Sequence, residues 1–294
     1  LKYRDELDQL AGQAYYEQKQ FEKAIPYLEA YAQNKRSLRE ADVYQLGFAN
    51  YKTNNWQQAI AYLERLDNRE DSLGQNALYI LADCYMEEGN KTNARSAYEK
   101  ASEMDFDAKI KEYSFFNYAR LSYELGYNSE ALERLQEFIR DYPGSDMTIE
   151  AKEILTELLL NSRNYAKALQ VIESIPNPTE KVRRAYQKVA YFRGIEQYNA
   201  GKFKEAILLF NTSHRNPLEE QMKAETYFWK GEALYALKRY DDAIKEYNNF
   251  NWLASSNDLE SEERLLAKSS YSAGYAFIKK DDYPSARPYF AKSI

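Results

Sequence analysis

The 294 residues include one cysteine, one histidine, 10 glycines and 7 prolines. A single cysteine excludes an intrachain disulfide framework. So little glycine and proline leaves few sharp turns, which favours helices over many short strands. No apolar run approaches the roughly 18–20 residues that cross a bilayer as a helix. There is no run of five like charges, and 40 Lys and Arg against 46 Asp and Glu leave a net charge of −6. Nucleic-acid binding rests on clustered Lys and Arg, so this balance argues against that class of partner. Glycine-rich phosphate loops, metal-ligand spacings and a Ser-His-Asp set are also missing from the chain.

What is present is a folded composition, 44% hydrophobic and 29% charged, with 28 tyrosines. The chain opens at Leu1 without a methionine and ends at Ile294 inside a helical pattern. The expectation is a piece of a longer protein, with any signal peptide or lipid anchor outside it.

An alanine recurs at Ala24, Ala59, Ala94, Ala131, Ala168, Ala206, Ala243 and Ala286, spaced by 35, 35, 37, 37, 38, 37 and 43 residues. Positions are counted here from this alanine. Position +4 is Leu28, Leu63, Tyr98, Leu135, Ile172, Phe210, Tyr247 or Phe290. Position −3 is Phe21, Trp56, Lys91, Asn128, Tyr165, Phe203, Tyr240 or Tyr283. Position −12 is small in most units: Gly12, Gly47, Ala82, Ala119, Thr156, Gly194, Gly231 and Gly274. Each unit reads as two helices of about a dozen residues joined by a turn such as Glu88-Gly89-Asn90, with an i, i+4 apolar stripe. The small residue and the alanine let the paired backbones approach. One hairpin cannot bury its apolar face alone, so neighbours stack.

The columns, with Gly12-x-x-Tyr15, Ala82-x-x-Tyr85, Ala206-x-x-x-Phe210, Ala286-x-x-x-Phe290 and Pro143, resemble the tetratricopeptide repeat family in a bacterial-type array. The resemblance implies an all-α, right-handed superhelical solenoid of about eight antiparallel hairpins. The approximate repeats are 5–38, 40–73, 75–108, 112–145, 149–178, 187–220, 224–257 and 267–294, one array over 1–294. The fifth unit departs most, with Thr156 at the small position and Arg163 where a turn glycine belongs. Ser174-Ile-Pro-Asn-Pro178 ends that hairpin rigidly. The stretch 251–263 is longer than the other junctions and reads as an extra helical turn starting near Asp258. Pro26 and Pro288 fall near the first turn of a second helix, where a missing N–H costs least.

No constellation supports catalysis, and the chain reads as non-enzymatic with no cofactor and no metal. His214 lies in the polar junction 211–217 and reads as an exposed linker residue. Cys84 reads as a small buried packing residue. Glu150, Glu153 and Glu157 are successive turns of a solvated face rather than a hydrolytic pair.

The tyrosines form two columns seven residues apart, on one face of each first helix. Position −15 holds Gln9, Tyr44, Tyr79, Phe116, Glu153, Tyr191, Phe228 and Tyr271; position −8 holds Tyr16, Tyr51, Met86, Tyr123, Leu160, Tyr198, Tyr235 and Ile278. The resemblance places first helices on the concave surface. The candidate partner-binding residues are therefore Tyr44, Tyr51, Tyr79, Phe116, Tyr123, Tyr191, Tyr198, Phe228, Tyr235 and Tyr271. Rings there either line a groove for protein or extended peptide or pack between adjacent first helices, as family repeats often do. Asp83, Glu87, Arg120, Glu124, Glu157, Glu232, Lys268 and Lys279 stand one turn away.

The expected function is a protein-binding scaffold. The alternatives are a carbohydrate-binding repeat protein and a regulatory arm of a larger enzyme or sensor. Family members that clamp the C-terminal carboxylate of chaperones use Lys, Asn and Arg; the first repeats here offer Gln9, Gln13, Tyr44 and Phe48, which disfavours that partner. Asp141-Tyr-Pro-Gly-Ser145 resembles repeat junctions of bacterial envelope lipoproteins, giving an expected envelope location, with cytoplasm as the alternative.

Overall fold

The computed structural model describes residues 4–216, 218–256 and 263–293, and every regular element among them is helical. Eight hairpins follow one another. The first four pair α1 (Arg4–Glu17) with α2 (Phe21–Gln33), α3 (Glu40–Lys52) with α4 (Trp56–Leu63), α5 (Ser72–Glu87) with α6 (Lys91–Ser102), and α7 (Ala108–Glu124) with α8 (Asn128–Asp141). The last four pair α9 (Thr148–Asn161) with α10 (Tyr165–Glu173), α11 (Glu180–Asn199) with α12 (Phe203–His214), α13 (Glu220–Ala236) with α14 (Tyr240–Ser256), and α15 (Glu263–Ile278) with α16 (Tyr283–Lys292). A short 3₁₀ turn, Glu64–Leu66, prolongs α4. The chain divides into two compact units, Leu1–Ile154 and Leu155–Ile294, the division falling inside α9.

One turn design closes all eight hairpins. Every second helix begins at position −3, from Phe21 to Tyr283. The residue at −5 always has positive φ: Gly89 at 74°, Gly126 and Gly201, but also Lys19, Asn54, Arg163, Lys238 and Asp281 near 60°. The N–H at −4 then reaches the carbonyl at −9, as from Asn90 to Tyr85 at 2.8 Å and from Arg239 to Leu234 at 2.9 Å. This is a Schellman closure, which satisfies carbonyls at the end of the first helix. Only glycine takes that conformation freely. In the other five hairpins, Arg163 among them, the closure and the packing of the two helices hold an ordinary residue there.

Position +4 packs onto position −12 of its own hairpin. A Cβ built on Gly12 would stand 2.7 Å from Leu28 Cδ2, one on Gly194 2.5 Å from Phe210 Cε1, and one on Gly231 2.6 Å from Tyr247 Cε1. The glycine thus makes room for a side chain, where the spacing alone suggested room for a backbone. Tyr247 is completely buried, so Gly231→Leu is expected to cost about 1–3 kcal/mol or more by overpacking. A denaturant midpoint equal to that of the parent protein would show that the ring can yield.

Two buried glutamines at position −19 brace the junctions between hairpins. Gln75 donates to the carbonyls of Met104 (2.7 Å) and Ala101 (3.2 Å) and accepts from the Asp107 N–H at 2.6 Å. Gln187 accepts from the N–H groups of Leu218 (3.0 Å) and Glu219 (2.8 Å) and donates to the Glu219 carbonyl. Both side chains are fully buried, as a satisfied polar brace requires.

Some boundaries move from the sequence expectation. The sixth hairpin opens at Glu180 rather than near 187, because Thr179 Oγ1 caps α11 by accepting from the Val182 N–H at 3.4 Å. Pro26 and Pro288 lie in the second helical turn of α2 and α16, not the first. Residues 251–256 simply continue α14; the extra turn expected near Asp258 lies outside the described residues.

Candidate functional site

In the interior hairpins the two tyrosine columns join one first helix to the next. The Tyr44 hydroxyl on α3 donates to Asn76 Oδ1 on α5 at 2.6 Å. In the other unit the Tyr191 hydroxyl on α11 donates to Glu225 on α13. Asn76 and Glu225 occupy the same repeat position, −18. Ring contacts follow the same path: Tyr79 meets Tyr113 edge-on at 5.4 Å, and Tyr198 meets Trp229 at 5.4 Å.

The ten candidates therefore differ in what they present. Phe116, Tyr191 and Phe228 are core residues, 3%, 6% and 0% exposed. The expectation that they offer rings to a partner is corrected: Phe116 is buried against Phe138 of α8 and the Arg120 guanidinium, while α13 covers Tyr191 and α15 covers Phe228. Phe228 lies within 5.3–6.3 Å of the rings of Trp229, Phe250 and Tyr247, with the Lys268 ammonium 5.0 Å from its centroid. Tyr44, Tyr51, Tyr79, Tyr123, Tyr198 and Tyr235 are half-buried, and Tyr271 is exposed.

Two carboxylates organise these faces, one in each unit, and both stand at position −11. Asp83 accepts from the Tyr51 hydroxyl at Oδ2 (3.2 Å), from the Tyr98 hydroxyl at Oδ1, and from Tyr79. Burial raises its pKa, with the three hydroxyls pulling in the opposite direction. Glu232 accepts from the Tyr247 hydroxyl at 2.7 Å and from Ser272 at 2.8 Å, with Lys268 Nζ 3.9 Å away. Among the described residues Asp83 has no cation within ion-pair distance. Tyr98 and Tyr247 both stand at +4, so a tyrosine at +4 coincides with an acid at −11 in their own hairpins. That pairing was readable in the sequence as a signal for a buried polar link, and the column reading passed over it.

Away from the ladder, His214 is not an exposed linker residue. It closes α12, half-buried, with its ring 4.1 Å from that of Tyr227 and Nε2 3.1 Å from the Lys223 carbonyl. Burial lowers its pKa. Cys84 is buried in the core of its unit. Among the described residues no group of three His, Cys, Asp or Glu is placed to hold a metal, and no helix is long and apolar enough to cross a membrane.

Sequence profiles described as tetratricopeptide repeat match residues 9–37, 44–107, 113–145 and 191–249, together more than half of the chain. The chain belongs to the tetratricopeptide repeat family. Its all-α hairpin architecture agrees with that membership. Arrays of this family generally serve as non-enzymatic scaffolds for protein–protein interaction.

No curated protein matches the chain in sequence. Among solved structures, the Naa15/Naa10 complex bound to HypK-THB is similar with a TM-score of 0.51 at 13% identity, over 99% of this chain and 43% of that one. The TPR2AB domain of yeast Sti1, in complex with pHSP90, gives 0.45 at 15% identity over 93% and 99%. The C-terminal part of a TPR repeat-containing protein from Cytophaga hutchinsonii gives 0.44 at 18% identity over 85% and 93%.

Proposed function

We propose that the chain is a non-enzymatic scaffold that holds a protein or extended peptide against the first-helix face of a unit. The observation that carries this reading is the half-buried state of the −8 tyrosines Tyr51, Tyr123, Tyr198 and Tyr235. Each keeps one side in the fold and one at the surface, a rigid amphipathic contact of low entropic cost. Charges flank them: Lys52 lies 4.8 Å from the Tyr51 ring centroid, and Glu124 pairs with Lys91 at 2.7 Å. A partner side chain meeting this face finds aromatic area with charged edges, the composition of binding hot spots.

A display library of extended peptides, selected on the parent protein, provides the test. Tyr123→Ala and Tyr235→Ala are expected to weaken selected peptides by about 2 kcal/mol each if they are hot spots, with melting temperatures little changed. Peptides that bind both variants as tightly as the parent would remove the ladder from the function. An envelope location belongs to the same proposal and is tested by fractionating cells that express the full gene.

A second reading, carbohydrate binding, is favoured by one feature of the last two hairpins. Trp252, 70% exposed, flanks a groove of about 760 Å³ whose polar lining includes Asn251, Ser255, Ser270 and Lys292. An indole beside amides and hydroxyls suits a sugar ring. Unchanged tryptophan fluorescence across a panel of oligosaccharides would dismiss it.

A further inference from the structure

Position −11 carries an acid in three hairpins: Asp83, Glu157 and Glu232. Two of these acids receive a lysine from the next first helix. Lys181 of α11 stands 2.8 Å from Glu157 Oε2, and Lys268 of α15 stands 3.9 Å from Glu232 Oε2. The Lys268 ammonium also lies 5.0 and 5.5 Å from the ring centroids of Phe228 and Trp229, so a carboxylate and two aromatic rings hold it together.

Asp83 has the acid and the rings of that arrangement but lacks the cation. The next first helix, α7, carries Tyr113 at position −18, where α15 carries Lys268. Tyr113 is 38% exposed and meets Tyr79 at 5.4 Å and Tyr98 at 6.1 Å, both edge-on. The hydroxyls of Tyr51, Tyr79 and Tyr98 converge on the carboxylate. They fill three of its roughly four acceptor positions and bring no charge. Asp83 is half-buried and Glu87, one turn on, is exposed, so the negative charge opens on the first-helix face. Among the described residues no cation stands within ion-pair distance of Asp83; Lys52 sits over the Tyr51 ring, 4.8 Å from its centroid. A carboxylate drawn out of water without a counter-charge is costly, and a cation brought to it recovers that cost.

We infer that this tyrosine-lined carboxylate seats a lysine side chain of the bound segment, its ammonium against Asp83 and its methylenes against Tyr51, Tyr79 and Tyr113. The inference rests on the scaffold reading above and names the chemistry of the partner, an extended segment with a lysine at one fixed position. The ammonium does between two chains what Lys181 and Lys268 do within this one. Aromatic rings around a cation add attraction of their own through their electron-rich faces. An acidic segment is repelled by Asp83 and Glu87.

Peptides selected from the display library on the parent protein are expected to share a lysine at one position. Replacing that lysine by norleucine, which keeps the chain and removes the charge, is expected to weaken binding about tenfold, the scale of a partly desolvated cation beside rings. Asp83→Asn is expected to weaken the lysine peptide by the same factor and to leave the norleucine peptide unchanged, because both changes remove one shared contact. Tyr113→Lys supplies the cation from within, as α15 does, and is expected to exclude the lysine peptide. If Asp83→Asn unfolds the protein, Tyr113→Lys at its exposed position carries the same comparison. Peptides without a shared lysine overturn the inference, as does a norleucine peptide that loses as much as the lysine peptide on either substitution. Peptides that fail on Tyr123→Ala yet ignore Asp83→Asn and Tyr113→Lys overturn it alone and leave the scaffold reading standing. A selection that returns no peptide removes both.

Discussion

Phe228→Ala is expected to cost about 3–5 kcal/mol of folding stability, the range for deleting a buried aromatic ring. The side chain is fully buried between Trp229, Tyr247 and Phe250. Removing it leaves a cavity walled by rings that belong to two helices, which the stacked hairpins cannot close without shifting both. Urea unfolding followed by helical ellipticity measures the loss. A loss of less than about 1 kcal/mol would put the ring outside the core and return it to the list of groove residues. The same substitution at Tyr123 is expected to change stability little, because that ring is only half-buried.

Raising the pH above 10 is expected to unfold the protein in one cooperative step. The hydroxyls of Tyr98 and Tyr247, at 2% and 0% exposure, face the carboxylates of Asp83 and Glu232. Burial raises both phenol pKa values, and the neighbouring acids raise them further. Burial also pushes Tyr44 up to about 12. The folded state therefore keeps protons that the unfolded chain releases near 10. The stability tied to these groups is complete below that pH and is lost as pH rises toward the folded pKa values. Each such tyrosine withdraws about 1.4 kcal/mol per pH unit above 10, so two remove close to 3 kcal/mol per unit, against a typical total of about 5–15 kcal/mol. Phenolate absorbance and ellipticity are expected to change together. Tyrosines that all titrate near 10 while the helices persist would contradict the buried assignment. Tyr247→Phe should move the transition to higher pH.

Much of the fold was legible because the repeat is enforced by local rules. The alanine column located every second helix, since a small side chain, a fixed turn and a +4 knob recur together, although the helices start early enough to put Pro26 and Pro288 in the second turn. Arg163 seemed a defect, yet its turn closes like the others, because the hydrogen bonds of the Schellman motif do not depend on the side chain. The candidate site was less legible. Tyr44, Tyr191, Phe228 and Tyr271 share one column and one helix face, and nothing in the column separates them. The polar links from Tyr98 to Asp83 and from Tyr247 to Glu232 required comparing two columns rather than reading each alone.

The sequence by itself determined an all-α array of eight hairpins and the columns that recur in each, because periodicity encodes residues a fixed distance apart along one hairpin. That the small residue at −12 receives the side chain at +4 came from the structure. Only the tertiary structure decided which aromatic rings are core and which are surface. Burial at position −15 depends on the helix that follows: α13 lies over Tyr191 and α15 over Phe228, while Tyr271 has no described helix over it. The cover comes from a neighbour some 35–40 residues on, and a column of identical residue types does not record whether that neighbour is there.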